Sequence, residues 1–242
     1  MPMNIADLKL CRGYLVSQVA EQRRASKAGR WLEPGPAITL SFQTGEGAHE
    51  LGRELVGILQ RHQPDGATPW TVFDRQLIEK VLEEHHLPKA LAKHMPEDRR
   101  SYIQDVMDEL VGLRPPSWVL VPQITETVLH LAEAGHVILI GRGASFITAS
   151  MPNVFHVRVV ASLPRRIERI RRLEHLSAKE AAKFIAHSDR GQGRYVKAHF
   201  HARSWDDLQY HLVLNTDRVP LSDAAALVAE GVRRCLKEPV AT

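Results

Sequence analysis

Residues 38–59 read ITLSFQTGEGAHELGRELVGIL, and the way this stretch divides decides the fold. With Ala37 it opens on a short apolar run that fits a buried strand; Leu51, Leu55, Ile58 and Leu59 then recur with a helical period. Between them lie Thr44, Gly45, Glu46, Gly47, Ala48 and His49. A strand, a glycine turn and a helix make a phosphate cradle, because glycines let backbone N–H groups converge and the helix N-terminus adds its dipole. The usual spacing G-x-x-x-x-G-K-[ST] is broken, however. If Gly47 is the last glycine, Phe42 takes the place of the first, Ala48 that of the lysine and His49 that of the magnesium-binding hydroxyl. A plain strand-to-helix turn fits the same residues equally well.

Working outward, TPWTVFD reads as a second strand ending at Asp74, a good N-cap for the helix RQLIEKVLEEHHL. Residues 89–113 are helical with Pro96 interrupting, Pro115 and Pro116 mark a loop, and residues 122–134 form a helix closed by Gly135. HVILI, VFHVRVVA and HLVLN are further strands; LPRRIERIRRL, a segment begun by the Ser177/Glu180 capping box, and residues 222–237 are further helices. Strands alternating with helices predict a parallel α/β sheet. Upstream, residues 1–30 are a polar helix or two, and WLEPGP breaks the chain before the first strand. Leu8, Tyr14, Leu15 and Val19 offer an apolar face to the main domain or to a partner, and both options stay open. The expected organisation is an N-terminal helical extension, residues 1–33, and one α/β domain, residues 34–238.

Composition narrows the function classes. A chain of 242 residues with 44% hydrophobic content supplies a sizeable core. There is no apolar run of the length a membrane span needs and no secretory signal pattern, so a cytoplasmic protein is expected. The two cysteines, Cys11 and Cys235, stand far apart, and the 13 histidines show no ligand spacing; free thiols and no structural metal are expected. The net charge of +4 is modest but uneven: residues 158–203 hold nine arginines against four acidic residues, which suits nucleotide phosphates or nucleic acid. Nucleic acid ranks below nucleotides, since interleaved exposed aromatics are missing.

Two other constellations carry chemistry. In GRG, Gly141 and Gly143 leave Arg142 free to lie against a phosphate or a base edge; a salt bridge at a strand end is the simpler alternative. In LPRRIERIRR, Arg165, Arg169 and Arg172 share one helical face and Leu163, Ile167 and Ile170 another. Downstream, Arg190 and Arg194 stand one turn apart, with Gly191 and Gly193 weakening the helix between them. The pattern fits a mobile cationic lid, residues 174–204, or a solvated basic face.

Together, ITLSFQTGEGAHELGRELVGIL, VFDRQLIEKVLEEHHL, VILIGRGASFI, VRVVASLPRRIERI, SDRGQGRYVKAHF and SWDDLQYHLVLNT resemble the cytidylate kinase-like family of P-loop nucleoside monophosphate kinases. The last segment is similar to a family signature, here Trp205, Asp206, Tyr210, Asn215 and Thr216. The resemblance spans about residues 37–230 and implies a three-layer P-loop NTPase-type fold, its parallel sheet flanked by helices, with a helical lid and a nucleotide-binding insertion. It implies ATP-dependent phosphoryl transfer, with Mg2+, to a nucleoside monophosphate such as CMP or dCMP; a nucleotide-binding module without chemistry is the alternative. By the same resemblance, residues 44–49 hold the donor phosphates, and Asp74 and Arg75 border the acceptor. Arg142 faces the acceptor phosphate, and Arg165, Arg169, Arg190 and Arg194 neutralise the transferred group. The partners implied are nucleotides, and a homo-oligomer is compatible. Gly143 in place of the acid of GRD, and His211 in place of the aspartate after the signature tyrosine, depart from the family pattern.

Overall fold

The computed structural model describes residues 5–27, 33–64, 67–74, 77–78, 121–141, 143–200 and 206–236. The elements in chain order are α1 (Ile5–Lys27), β1 (Ala37–Phe42), α2 (Ala48–Arg61), β2 (Thr71–Asp74), α3 (Val121–Ala134), β3 (Val137–Ile140), α4 (Ala144–Ile147), β4 (Val154–Val160), α5 (Leu163–Glu174), α6 (Ala178–Phe200), β5 (Leu212–Asn215) and α7 (Leu221–Cys235). The helix expected over residues 75–87, Leu77 and Ile78 apart, the helix expected over 89–113, and residues Arg75, Arg142 and Trp205 lie outside the described residues.

The five strands form one sheet in the order β2-β3-β1-β4-β5, and every pairing is parallel. β1 takes the centre because its AITLSF run is buried almost throughout; Ile38 pairs with Ile138 on one side and Phe155 on the other. Such a strand, covered on both faces, reads as a continuous apolar run. One face packs Ile38, Leu40, Ile138, Val157 and Val159 against Leu51, Leu55 and Leu59 of α2 and Val228 and Val232 of α7. The other packs Ala37, Phe73, Val137 and Leu139 against Leu129 and Ala132 of α3 and against α1. Among the described residues no helix is long and apolar enough to cross a membrane.

The N-terminal helix docks on this same chain. Cys11, Tyr14 and Leu15 are buried in the core, with Val19 packed beside them. The Tyr14 ring meets Phe73 edge-on at 5.5 Å, and its hydroxyl donates to the Gly135 carbonyl at 2.5 Å. Gly135 ends α3 with φ 76, and a Cβ there would lie 2.6 Å from the Gly35 carbonyl oxygen, so only glycine fits. Tyr14→Phe leaves that buried carbonyl without its donor. The expected loss is about 1–2 kcal/mol, read as a lower denaturant midpoint at unchanged slope.

Candidate phosphate and acceptor site

β1 delivers the chain into the glycine turn and α2 carries it away. Gly45 and Gly47 both have φ 91, the left-handed region, so the turn takes the conformation that the glycines were expected to permit. Gly47 is the N-cap residue of α2, and the opening N–H groups of that helix face the turn. A Cβ at Gly45 would lie 2.9 Å from the Arg166 carbonyl, and Gly47 sits directly beneath the Arg169 guanidinium. Arg169 also pairs with Glu50 at 3.3 Å. A cation therefore stands over the loop although position 48 carries none. A cavity of about 330 Å³ lies here, lined by residues 44–50 of the turn together with Arg169, Ile170 and Phe184.

The loop is fastened from within and from α6. The Gln43 N–H donates to Glu46 Oε2 at 2.6 Å and the Thr44 N–H to Asp189 Oδ1 at 3.1 Å. Arg166 donates to the Thr44 carbonyl at 3.3 Å and to Asp189 Oδ2 at 2.6 Å. The Thr44 hydroxyl donates to Ser188 at 2.8 Å and accepts from Gln192 at 3.2 Å. Glu46 is wholly buried, and burial pushes its carboxyl up to about 8 against the pull of the Gln43 N–H and the nearby Arg166 and Arg158. The carboxyl is therefore mostly protonated at neutral pH.

A second cavity, about 540 Å³, opens at the carboxyl ends of β1, β2 and β3, where ligands of parallel α/β sheets bind. Phe42, Phe73, Ile124, Val128 and Ile147 give it apolar walls, and His49, Asp74, His187 and Ser188 supply polar groups. Both glycines of the GRG turn line it as well. Asp74 accepts the Leu77 N–H at 2.8 Å through Oδ1, and its Oδ2 lies 3.8 Å from His49 Nδ1. The His49 ring meets Phe42 edge-on at 5.9 Å. Burial lowers the His49 pKa, with Asp74 pulling the other way.

The expected site residues separate into groups. The structure brings together Thr44, Gly45, Glu46, Gly47, Ala48, His49 and Arg169 around the loop, and places Asp74 across from His49. Arg165, Arg190 and Arg194 are exposed, and the Arg190 Nε donates to the Ala186 carbonyl of its own helix. α6 runs unbroken through Gly191 and Gly193. The face assigned to α5 needs correction: Leu163 is 48% exposed, whereas Arg166 is buried with Ile170. Nothing within α5 marks Arg166 as inward-facing, because its partner Asp189 lies far along the chain.

Sequence reasoning also missed a buried polar stripe on β1, β4 and the approach to β5. Arg158 is buried with its guanidinium carbon 5.7 Å from the Tyr210 ring centre, and the Tyr210 hydroxyl donates to Ser41 at 3.1 Å. His156 shares a 2.8 Å hydrogen bond with Thr39, and its N–H donates to the His211 ring. His211, the departure from the signature, thus stacks on His156 and Phe155 as a structural piece. Thr216 donates to the Glu46 carbonyl at 3.4 Å, and Asp206 accepts the Leu208 N–H. Of the signature residues inside the described region, Thr216 ties the end of β5 to the loop and Tyr210 ties its approach to β1.

A parallel sheet in this order, with a glycine loop after its central strand, is the architecture of the P-loop kinases. Residues 37–218 match the sequence pattern of the cytidylate kinase-like family, and none of the curated proteins matches the chain. The fold is similar to that of an uncharacterized protein from Eubacterium ventriosum, at 14% identity and a TM-score of 0.54 over 82% of this chain and 98% of that one. A shikimate kinase from Bacteroides thetaiotaomicron aligns at 14% identity, TM-score 0.37, over 84% of this chain and 99% of its own. A gluconokinase from Sinorhizobium meliloti aligns at 11% identity, TM-score 0.41, over 84% and 94%. Both scores are too low to add to the argument. The family match takes in the loop, Asp74, the GRG turn and the α5–α6 ion pair, and it covers most of the sequence: the chain belongs to the cytidylate kinase-like family.

Proposed function

We propose that the protein transfers the terminal phosphoryl group of ATP to a nucleoside monophosphate seated in the 540 Å³ cavity, CMP or dCMP before the others. The observation that carries this reading is the meeting of the two cavities: Phe42, His49 and Ser188 line both the loop cavity and the larger one. Phosphoryl transfer asks mainly for in-line placement of two ligands and for cations on the moving charge. Residues 44–49 hold the donor phosphates, with the Arg169 guanidinium over Gly47 in the role usually given to the loop lysine. The apolar walls suit a base and sugar. Arg142 and Arg75 keep the acceptor contacts that family membership suggests, and Arg165, Arg190 and Arg194 approach the phosphates when a donor is bound. Removing a well-placed cation of this kind costs about 10²–10³ in rate.

Magnesium neutralises phosphate charge when bound. Among the described residues no group of three or more His, Cys, Asp or Glu side chains converges. A magnesium arriving with the triphosphate would have phosphate oxygens and waters among its ligands. An activity on nucleotides suits the cytoplasm.

A second reading, a nucleotide-binding module without chemistry, is favoured by one observation: side-chain oxygens of Glu46 and Asp189 take the Gln43 and Thr44 N–H groups that a phosphate could use. ADP formation from MgATP, with each nucleoside monophosphate offered in turn, separates the two. Turnover that falls about 100-fold in Arg169→Ala is expected; ATP binding without ADP formation sinks the kinase reading.

A further inference from the structure

His49 stands where the P-loop pattern has a small hydroxyl residue, and its surroundings give it another task. Its side chain lines the loop cavity, the 540 Å³ cavity and a third, smaller cavity against Val56, Trp70 and Leu77. It therefore sits between the place where a donor phosphate lies and the place where an acceptor lies. Asp74 reaches it from β2, with Oδ2 at 3.8 Å from Nδ1, and is itself fixed because Oδ1 accepts the Leu77 N–H. Phe42 bounds the ring from β1. With Nδ1 turned to the carboxylate, Nε2 is left to accept a proton.

We propose that His49, oriented by Asp74, is the proton acceptor for the oxygen that attacks the donor phosphate. This rests on the transfer reading above and deepens it to the chemistry of the acceptor. In the step, the acceptor oxygen forms a bond to the terminal phosphorus of the nucleoside triphosphate. The bond from that phosphorus to the bridging oxygen breaks, and its electron pair leaves on the nucleoside diphosphate. The acceptor's proton passes to His49 Nε2, and the imidazolium formed is paired with the Asp74 carboxylate until it gives the proton to water. The acceptor class follows: one whose attacking oxygen carries a proton. A hydroxyl carries it at every pH, whereas a monophosphate carries it only below its second ionisation, about pH 6.

The ring is suited to the task, because burial keeps it neutral and ready to accept. The charged and titratable groups around it are Asp74 from β2, Glu50 and Arg53 from its own helix, and His187 from α6 across the cavity. Arg53 opposes protonation, while Asp74 and Glu50 favour it.

The test measures kcat and KM from about pH 5 to about pH 9 for wild type, His49→Gln and Asp74→Asn. The acceptors are CMP and dCMP, with cytidine and deoxycytidine as their hydroxyl counterparts. With a hydroxyl acceptor, His49→Gln is expected to lower kcat by about 10²–10⁴ wherever the ring is neutral, and to remove the acid limb of the wild-type profile, while KM changes little. With a monophosphate the loss is confined to pH below about 6. Imidazole added to His49→Ala restores rate if the ring acts chemically, a response that a merely structural role does not give. Turnover by His49→Gln that follows the wild-type profile at every pH, or a slow His49→Ala that imidazole leaves unchanged, overturns the inference and spares the transfer reading. A wild type that binds ATP and phosphorylates none of these acceptors overturns both.

Discussion

Asp189→Ala is expected to cost about 3 kcal/mol of folding stability, toward the lower end of what breaking a buried ion pair costs. Arg166 is 9% exposed at its side chain and Asp189 24%, with 2.6 Å between them, so the arginine is the member that cannot turn to water when its partner goes. The Arg166 Nε already lacks a hydrogen-bond partner, which leaves the guanidinium dependent on Asp189 and on the Thr44 carbonyl. Removal of Asp189 strands that charge and also takes the acceptor from the Thr44 N–H. The partial exposure of Asp189 admits some water, hence the lower figure. The damage is local as well as global, because Thr44 belongs to the phosphate loop and loses one of its links to α6. Asp189→Asn retains a hydrogen-bonding side chain and should lose less. Denaturant titration of the two variants at neutral pH checks the order, and equal losses would mean that the charge contributes little.

The second large effect is a loss of stability in acid. His156 is 5% exposed, and burial first, then His211, depresses its pKa from 6.5 to about 4. The unfolded chain takes up the proton as pH falls through 6.5, while the folded protein keeps the ring neutral until about 4. The unfolded state therefore binds more protons in that window, and folding stability falls as pH falls. The contribution is present in full above pH 6.5 and is lost by about pH 4, amounting to about 3 kcal/mol at most. His211 and His136, whose pKa values burial also lowers, add to the same trend. Thermal melts of wild type and His156→Gln across this window provide the check. The variant is expected to show a shallower decline, and parallel curves would place the acid sensitivity elsewhere.

Much of the fold was legible because local pattern and global position agree. The apolar run at β1, the helical period from Leu51 to Leu59 and the capping residue Ser177 each specify an element that the structure contains, the Ser177 N–H donating to Glu180 at 2.9 Å. The glycine turn was legible for the same reason, since left-handed φ values at Gly45 and Gly47 need glycine. What escaped notice depends on pairs distant in sequence. Arg166 looks like a surface residue until Asp189 is placed beside it, and His49 looks like a failed hydroxyl position until β2 brings Asp74 across from it. Tyr14 reads as part of an apolar face, but its partners Phe73 and Gly135 are distant in sequence as well. Side-chain periodicity carries no information about such partners. Glu46 is a further case: an acidic residue in a phosphate loop reads as exposed, yet it folds inward onto the Gln43 N–H.

These features bear on catalysis in one direction. The loop has lost its lysine, but Arg169 covers Gly47, and the same loop is held to α6, which walls the acceptor cavity through His187, Ser188 and Gln192. The two cavities therefore share a wall, as the proposed placement of donor and acceptor requires. The measurement that tests the central claim most directly is the mass of the acceptor after incubation of the purified protein with MgATP and each cytidine compound. An acceptor heavier by one phosphoryl group, formed in proportion to ADP and strongly reduced in Arg169→Ala, is the predicted result. Unmodified acceptors alongside tight ATP binding would contradict it.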